Sequence, residues 1–483
     1  MKYILPKISN IIFLSILSSV ILIGPQTFNL DGDLGRHITI GGYILDNLSI
    51  PTQDLFSHTM LGKPLTPHEW LSQVIFAGSH QLLSLGGPVL VVAFLIAGTF
   101  SFIYRESSQR SQMPLTSLAL TILAAAASSI HWLARPHVFT FLFLAIWTSL
   151  LEQVQKDKKV SSWSFAILML IWANTHGAFI AGFVVWGAYI TGYLIDAFLE
   201  RQFNLEKFSQ WLTIGGISFI ATLFNPSGFH LWRTSVGYVG NSYLVSHTVE
   251  YQPVDFHIPG AWPFLLMILL SVLVLSYKRQ QIASAHSLLI AGWLVMGLYS
   301  ARNVPLFAII VAPILAETLA GMFTNFRWKV IERNFMAIES SAMGVLWPIT
   351  GILCAILLLN TPTLRAYNTY DASFFPVDAV NWLDENPQEG NLFNSFTWGG
   401  YLLYRDWPNQ LVFIDGQTDF YGEALTREYE SAITLGKSWQ GIFEKYQINW
   451  VIVETNSPLA QTLIQDKHWK ILYQDETAVI IKK

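Results

Sequence analysis

Eleven apolar runs, each close to the length that crosses a bilayer, follow one another along the first three quarters of the chain. They lie at about 8–25, 86–104, 113–132, 136–153, 161–175, 177–198, 209–224, 262–277, 284–300, 304–322 and 342–360. A helix of ~20 apolar residues spans the hydrocarbon core of a membrane. Inside that core the backbone must satisfy its own hydrogen bonds, which a helix does. The sequence therefore predicts a polytopic α-helical membrane protein with about eleven transmembrane helices.

Charged residues are scarce and unevenly distributed. Asp, Glu, Lys and Arg make up 12% of the 483 residues, about half of what an ordinary soluble domain carries. Residues 1–360 hold 19 basic and 16 acidic residues, whereas residues 361–483 hold 9 and 16. This division predicts a transmembrane domain over 1–360 and an acidic, water-soluble domain over 361–483. It excludes a simple soluble enzyme and a protein that binds nucleic acid through a basic face.

The basic residues predict the direction of the spans. With the N-terminus inside, the cytoplasmic segments carry 14 Lys and Arg, and the external segments carry five: Arg36, Lys63, Arg135, Arg233 and Arg302. Lys and Arg favour the cytoplasmic side of short loops, so we predict an integral protein of the plasma (inner) membrane with a cytoplasmic N-terminus. Because the number of spans is odd, the C-terminal domain is then extracytoplasmic.

Polar and ionisable residues gather at the external ends of these predicted spans. Ionisable groups near membrane depth are costly unless they face a cavity or one another, so their concentration predicts a polar external cavity. For a single His or Asn, closing a short helical hairpin is an equally good explanation, but it does not account for the whole set. The first external loop, residues 26–85, supplies Asp31, Asp33, Arg36, His37, Asp54, His68 and Glu69, and later loops supply Arg135, His137, Asn174, His176, Asn225, Arg233 and Arg302.

Two surface helices are predicted within the first external loop. The first begins at Asp33, after which apolar residues recur at helical spacing. The second opens at Pro67-His68-Glu69-Trp70 and continues to Leu83. Each helix presents a carboxylate and a histidine near its start. Capping of the helix end is the alternative role for these carboxylates.

The stretch Asp31-Gly-Asp-Leu-Gly-Arg-His37, which directly follows the first span, resembles a known family. Its second half, Asp33-Leu-Gly-Arg-His37, is similar to the D-x-x-x-H element of oligosaccharyltransferase-like members of the glycosyltransferase C (GT-C) superfamily of polytopic membrane enzymes. With Ile50-Pro-Thr-Gln-Asp54 and His68-Glu-Trp70, the wider pattern resembles a bacterial group near that superfamily without an established activity. The motif match is confined to the first loop, whereas the layout of spans and tail resembles the superfamily over most of the chain.

The resemblance implies an enzyme that transfers a sugar from a polyprenyl-phosphate-linked donor to an extracytoplasmic glycan, lipid or protein acceptor. It makes Asp33 the leading catalytic carboxylate and Asp31 the second, because a base must accept the proton of the acceptor as the sugar–phosphate bond breaks. Arg135, Arg233 and Arg302 become candidate clamps for the phosphate, and the other polar residues named above become candidate substrate-binding residues. Asp31 and Asp33 also offer two oxygen ligands for a divalent cation, Mg²⁺ or Mn²⁺.

Other functions stay open at this point. The chain lacks the Asp-Glu pair of protein mannosyltransferase-like members and the WWD motif of oligosaccharyltransferases, so transfer to the asparagine of proteins is not expected. The alternatives are an O-antigen-ligase-like polymer transferase, a transporter or flippase of lipid-linked glycans, and a catalytically silent scaffold. A transporter typically shows an internal repeat, and the sequence has no clear one.

The tail is predicted to be a small α/β domain with a mostly parallel sheet. Short apolar and β-branched runs predict strands at 392–396, 411–415, 449–454, 469–474 and 477–482, and helices at 377–386, 422–446 and 457–466. The polar segments 397–401 and 415–422 follow predicted strand ends, where open α/β sheets bind ligands. They are expected to form a pocket, to close over the membrane cavity, or to be simple turns.

Overall fold

The computed structural model describes residues 5–277, 282–322, 326–341, 344 and 346–483. Three residues counted above as cytoplasmic, Lys2, Lys278 and Arg279, lie outside the described residues, as does most of the stretch 342–345 at the start of the eleventh apolar run.

In the described part of the chain, each of the eleven apolar runs lies on a helix. Among the described residues, six helical segments are long and apolar enough to cross a membrane, and four shorter apolar helices accompany them, at Ile8–Leu22, Ser162–Thr175, Ser284–Tyr299 and Leu346–Leu359. The predicted span 209–224 lies on the helix Leu205–Thr222, and the number of crossings stays a prediction. The helices of this part are α1 (Ile8–Leu22), α2 (Gln26–Asn29), α3 (Asp33–Asn47), α4 (Trp70–Leu83), α5 (Gly86–Ser111), α6 (Pro114–Ser128), α7 (His137–Gln155), α8 (Ser162–Thr175), α9 (Ile180–Glu200), α10 (Leu205–Thr222), α11 (His230–Gly240), α12 (Ser242–His247), α13 (Trp262–Tyr277), α14 (Ser284–Tyr299), α15 (Val304–Met322), α16 (Phe326–Ser341) and α17 (Leu346–Leu359).

Both predicted surface helices of the first loop are present, as α3 and α4. Helix α3 begins at Asp33 and buries the face that carries Leu34, Ile38 and Ile44. It packs directly on α4: a Cβ added to Gly41 would lie 2.0 Å from the carbonyl oxygen of Gln73. Only glycine permits this backbone contact, which fixes α3 and its N-terminal carboxylate against the bundle.

The tail contains six helices and one four-stranded sheet. Its elements are α18 (Pro362–Tyr367), α19 (Val377–Glu385), β1 (Asn391–Asn394), α20 (Gly399–Asp406), α21 (Thr418–Ile433), α22 (Trp439–Lys445), β2 (Ile448–Glu454), α23 (Pro458–Gln465), β3 (Lys470–Gln474) and β4 (Ala478–Lys482). The strand order is β1-β2-β4-β3. Strand β2 is buried on both faces of the sheet. Val451 and Val453 lie on one face in an apolar cluster of the tail, and Ile452 lies on the other face in the core that extends into the membrane helices.

Three predictions about the tail are wrong. The sheet is not mostly parallel, because only β1 and β2 run parallel, while β2–β4 and β3–β4 are antiparallel. Strands β3 and β4 are joined by the tight turn 475–477, and so short a connection can only join antiparallel neighbours. The predicted strand 411–415 makes an isolated bridge from Val412 to Ser57 of the first loop. The predicted helix 422–446 is divided into α21 and α22.

A seam of glycines docks the tail on the first loop. A Cβ on Gly35 would lie 2.3 Å from the carbonyl oxygen of Gly400, and a Cβ on Gly400 would lie 2.2 Å from that of Gly32. A Cβ on Gly416 would lie 1.7 Å from Oδ1 of Asp33. Real Cβ atoms essentially never come within 3.0 Å of such neighbours. The backbones of the first loop and the tail are therefore in direct contact. These glycine contacts place the segment after residue 415 beside the start of α3.

Candidate active site

A cavity of about 430 Å³ lies between the helix bundle, the first loop and the tail. Its lining combines two kinds of surface. Loop residues and helix ends supply the polar part, and the membrane helices α9, α14 and α15 supply an apolar part. The polar lining includes Arg36, His68, Glu69, His131, Arg135, His137, His176, Arg302 and Asp419, and the apolar lining includes Ile180, Val184, Trp293, Met296 and Leu306.

Arg135 lies between three carboxylates at the surface of this cavity. Its Nη1 is 2.9 Å from Oδ2 of Asp31, and its Nη2 is 2.8 Å from Oδ2 of Asp33. Nη1 also donates a hydrogen bond to Oε1 of Glu250. Asp31 and Asp33 are not among the described residues that line the cavity. The guanidinium therefore faces the cavity with the two first-loop carboxylates behind it.

Glu250 joins Arg135 to a second guanidinium. Its Oε2 is 3.6 Å from Nη1 of Arg302, which also donates a 3.0 Å hydrogen bond to the hydroxyl of Tyr251. Burial alone would raise the pKa of Glu250, but Arg135 and Arg302 outweigh burial and hold that pKa below its usual value. An ionised Glu250 thus keeps the two cationic side chains together, an arrangement that suits the oxygens of a phosphate.

A second charged cluster surrounds Glu69, which precedes α4. Its Oε2 lies 3.8 Å from Nη2 of Arg36 and 3.9 Å from Nδ1 of His37. Its Oε1 lies 3.8 Å from Nε2 of His68 and 4.0 Å from Nε2 of His176. The structure thus brings five of the predicted binding residues into one cluster.

Histidines from the later loops complete the polar lining. A ring nitrogen of His137, Nε2, lies 2.8 Å from the carbonyl oxygen of His131, and the two rings are 4.2 Å apart between centroids. Nδ1 of His176 lies 2.9 Å from the hydroxyl of Thr140. These contacts fix the rings in a buried position beside the two arginines.

The tail reaches the cavity through the loop that follows residue 415. Nη1 of Arg36 donates a 3.0 Å hydrogen bond to Oε1 of Gln417, and Nδ1 of His68 is 3.7 Å from Oδ2 of Asp419. Behind them, burial raises the pKa of Asp415 to about 6, although Arg36 opposes that shift. The sequence leaves three outcomes open for the segment 415–422, and in the structure this segment lies over the cavity.

No protein-family model matches the chain, and no curated protein matches it in sequence. Solved structures do match. The apo oligosaccharyltransferase of Archaeoglobus fulgidus superposes with a TM-score of 0.56 at 12% identity, over 92% of this chain and 69% of that one. ArnT from Cupriavidus metallidurans, bound to undecaprenyl phosphate, gives 0.54 at 12% identity, over 98% of this chain and 97% of that one. The chain has a GT-C-like membrane fold.

The resemblance predicted from the first loop is thereby confirmed at the level of fold. A further match is the archaeal oligosaccharyltransferase AglB from Archaeoglobus fulgidus in complex with an inhibitory peptide and a dolichol-phosphate, with a TM-score of 0.57 at 14% identity, over 92% of this chain and 69% of that one. Identities this low establish the fold alone.

Four predicted binding residues lie elsewhere in this GT-C-like fold. Asp54 accepts hydrogen bonds from two backbone N–H groups and one hydroxyl of its own turn. Asn174 accepts a 2.8 Å bond from the indole of Trp70 and ties α8 to α4. The side chain of Asn225 donates hydrogen bonds to the carbonyl oxygens of Thr222, the last residue of α10, and of Gly228 in the turn that follows. Arg233 is exposed, and it is not one of the described residues that line the cavity.

Glu250 of the membrane domain and Gln417 and Asp419 of the tail loop belong to the site, but they are not among the site residues predicted from the sequence. Glu250 is an isolated acid in the long segment between α10 and α13, with no neighbouring motif. The signal that indicates this residue is its position between the predicted spans 209–224 and 262–277, on the same predicted side as the external polar residues. Gln417 and Asp419 belong to the segment 415–422, for which the sequence predicts a pocket, closure over the membrane cavity or simple turns.

Asp31 and Asp33, the predicted ligands of a divalent cation, surround a guanidinium. Within the part of the chain that the structure describes, no group of three or more His, Cys, Asp or Glu residues is placed to hold a metal ion. One oxygen of each carboxylate is within 3 Å of Arg135. In this arrangement the residues present do not fit a metal ion.

Proposed function

We propose that this chain is a membrane glycosyltransferase that moves a sugar from a polyprenyl-phosphate-linked donor to an extracytoplasmic acceptor, which is a glycan, a lipid or a protein. The observation that carries the proposal is a cavity lined by apolar residues and by the guanidiniums of Arg135 and Arg302, of which Arg135 pairs with the carboxylates of Asp31 and Asp33. Glu250 links the two guanidiniums. The GT-C-like fold supports the proposal, and solved proteins of this fold contain undecaprenyl phosphate and dolichol-phosphate.

The donor fits the two surfaces of the cavity. Its phosphate would bind Arg135 and Arg302, because a guanidinium presents a planar set of donors to phosphate oxygens. Its polyprenyl chain would lie along the apolar lining contributed by α9, α14 and α15, with Val184, Trp293 and Leu306 among its contacts. Such an orientation leaves the sugar near the first loop and the tail loop.

The chemistry follows from the ion pairs of Arg135. When the guanidinium turns to the donor phosphate, it releases Asp33 from its ion pair. Asp33 then accepts the proton of the acceptor hydroxyl while that oxygen bonds to C1 of the sugar. The bond between C1 and the phosphate oxygen breaks, and the polyprenyl phosphate leaves with its negative charge stabilised by the two arginines. Asp31 is the second candidate base, and its burial raises its pKa to about 6.

The proposal is tested by the lipids of cells that lack the protein. Polyprenyl-phosphate sugars are extracted and identified by mass spectrometry before and after re-expression of the wild-type chain. We expect one species to accumulate on the external side and to disappear on re-expression. Accumulation of a finished glycan on its lipid carrier would favour the O-antigen-ligase-like alternative. Accumulation confined to the cytoplasmic leaflet would favour a flippase. An unchanged lipid pool would contradict the transferase and favour a scaffold.

A further inference from the structure

The position between the two first-loop carboxylates is filled by a side chain of the protein. Arg135 approaches Asp31 and Asp33 with different nitrogens, at 2.9 and 2.8 Å, so that one planar group bridges both acids. Glu250, which is distant from the first loop in sequence, contacts the same guanidinium. The Arg135 side chain is 21% exposed, and it borders the cavity. An ion that entered from the cavity would meet the guanidinium before it met the acids.

The charges at this position are nearly balanced by protein groups alone. Three carboxylates face two guanidiniums, those of Arg135 and Arg302, which leaves one net negative charge. Without Arg135, the same groups would carry two net negative charges and three free carboxylate oxygens. Oxygen ligands and a matching charge are what Mg²⁺ and Mn²⁺ require, and Mg²⁺ in particular binds through one or two carboxylates and water.

We propose that Arg135 is a built-in cation: it occupies the place at which Asp31 and Asp33 would otherwise hold a divalent metal ion. The native chain therefore binds neither Mg²⁺ nor Mn²⁺ at these carboxylates, and a chain without this guanidinium does. The proposal concerns cation binding by the free protein. It does not depend on the transfer of a sugar.

The test is a titration of the purified full chain with Mn²⁺, followed by the loss of the free-ion signal in electron paramagnetic resonance. We compare the wild type with Arg135→Ala and with the neutral variant Arg135→Gln, which keeps more of the side-chain packing. Arg302→Ala is the matched control, because it removes the same charge from the other side of Glu250 and leaves the contacts of Asp31 unchanged. The double variant Arg135→Ala/Asp31→Asn tests the ligand.

We expect no specific Mn²⁺ site in the wild type or in Arg302→Ala. Arg135→Ala or Arg135→Gln should bind one Mn²⁺ per chain, and the double variant should lose that site. The proposal is overturned if the wild type binds one Mn²⁺ per chain and the single variant Asp31→Asn, titrated alongside it, does not. It is also overturned if either Arg135 variant, shown to be folded by its thermal transition, binds none. The titration contains no sugar donor, so its failure and a failure of the proposed transfer are separate results.

Discussion

The glycine seam between α3 and the tail predicts opposite effects for two alanine substitutions on the same helix. In Gly35→Ala, the new Cβ would lie 2.3 Å from the carbonyl oxygen of Gly400 and 2.9 Å from Cβ of Tyr404. In Gly42→Ala, it would meet nothing within 4 Å. The two substitutions have the same chemistry and the same helical backbone, so any difference between them comes from the contact with the tail.

The magnitude follows from the geometry. To reach the 3.4 Å at which ordinary Cβ contacts begin, the backbone at Gly400 must retreat by about 1 Å. Because a backbone atom cannot change rotamer, the strain spreads into the docking of the tail, and overpacking of this kind costs about 1–3 kcal/mol. Replacing a helical glycine in open space instead stabilises the fold by about 0.5–1 kcal/mol.

Thermal unfolding of the purified protein in one detergent measures both variants against the wild type. We expect the Tm of Gly35→Ala to fall below that of the wild type and the Tm of Gly42→Ala to equal or exceed it. Limited proteolysis should also release the tail faster in Gly35→Ala. If Gly35→Ala is as stable as Gly42→Ala, the tail does not dock on α3 as described, and the site assembled across that contact is refuted as well.

Three further predictions concern the cavity. Gly416→Ala places a Cβ 1.7 Å from Oδ1 of Asp33, so it should displace that carboxylate and lower kcat by about 10²-fold, measured in membranes with the donor identified by lipid analysis; an unchanged kcat would contradict the contact. Burial raises the pKa of Asp415 from 3.8 to about 6, so between pH 4 and 6 the folded chain holds a proton that the unfolded chain has lost. The free energy of unfolding should therefore fall by up to about 3 kcal/mol as the pH rises from 4 to 6. Unfolding of Asp415→Asn should lack this pH dependence, and identical pH profiles of the variant and the wild type would refute the prediction. Arg302→Ala removes a charged donor to phosphate and should raise the KM for the donor roughly 10- to 100-fold, whereas an unchanged KM would exclude Arg302 from the phosphate site.

Much of the architecture follows from local patterns in the sequence. The periodic apolar residues of α3 and the acid at its start were sufficient to predict a surface helix at Asp33, because one face of that helix had to be buried. The sequence predicts that the polar residues of the first loop lie on the same side of the membrane as Arg135 and Arg302. In the structure, Arg36, His68 and Glu69 of that loop line one cavity together with these two arginines. Their common location could be predicted because an isolated charge near the membrane is costly.

The remainder depends on contacts between distant segments. Nothing local to Arg135 indicates that it pairs with Asp31 and Asp33, since that pairing requires the loop between α6 and α7 to pack beside the start of α3. Glu250 carries no motif, and its role exists only through its two arginine partners. The direction of the strands in the tail depends on the length of their connections, which the apolar pattern of each strand does not specify.

The central claim, that Asp33 is the base of a glycosyl transfer, is tested most directly by the rate of that transfer in a single pair of variants. Asp33→Asn keeps the size of the side chain and removes its ability to accept a proton. Asp46→Asn, exposed on the same helix, is the matched control. With the lipid-linked donor in excess, we predict that kcat falls by about 10²- to 10⁴-fold in Asp33→Asn and stays at the wild-type value in Asp46→Asn. Equal transfer rates in the two variants would contradict the account.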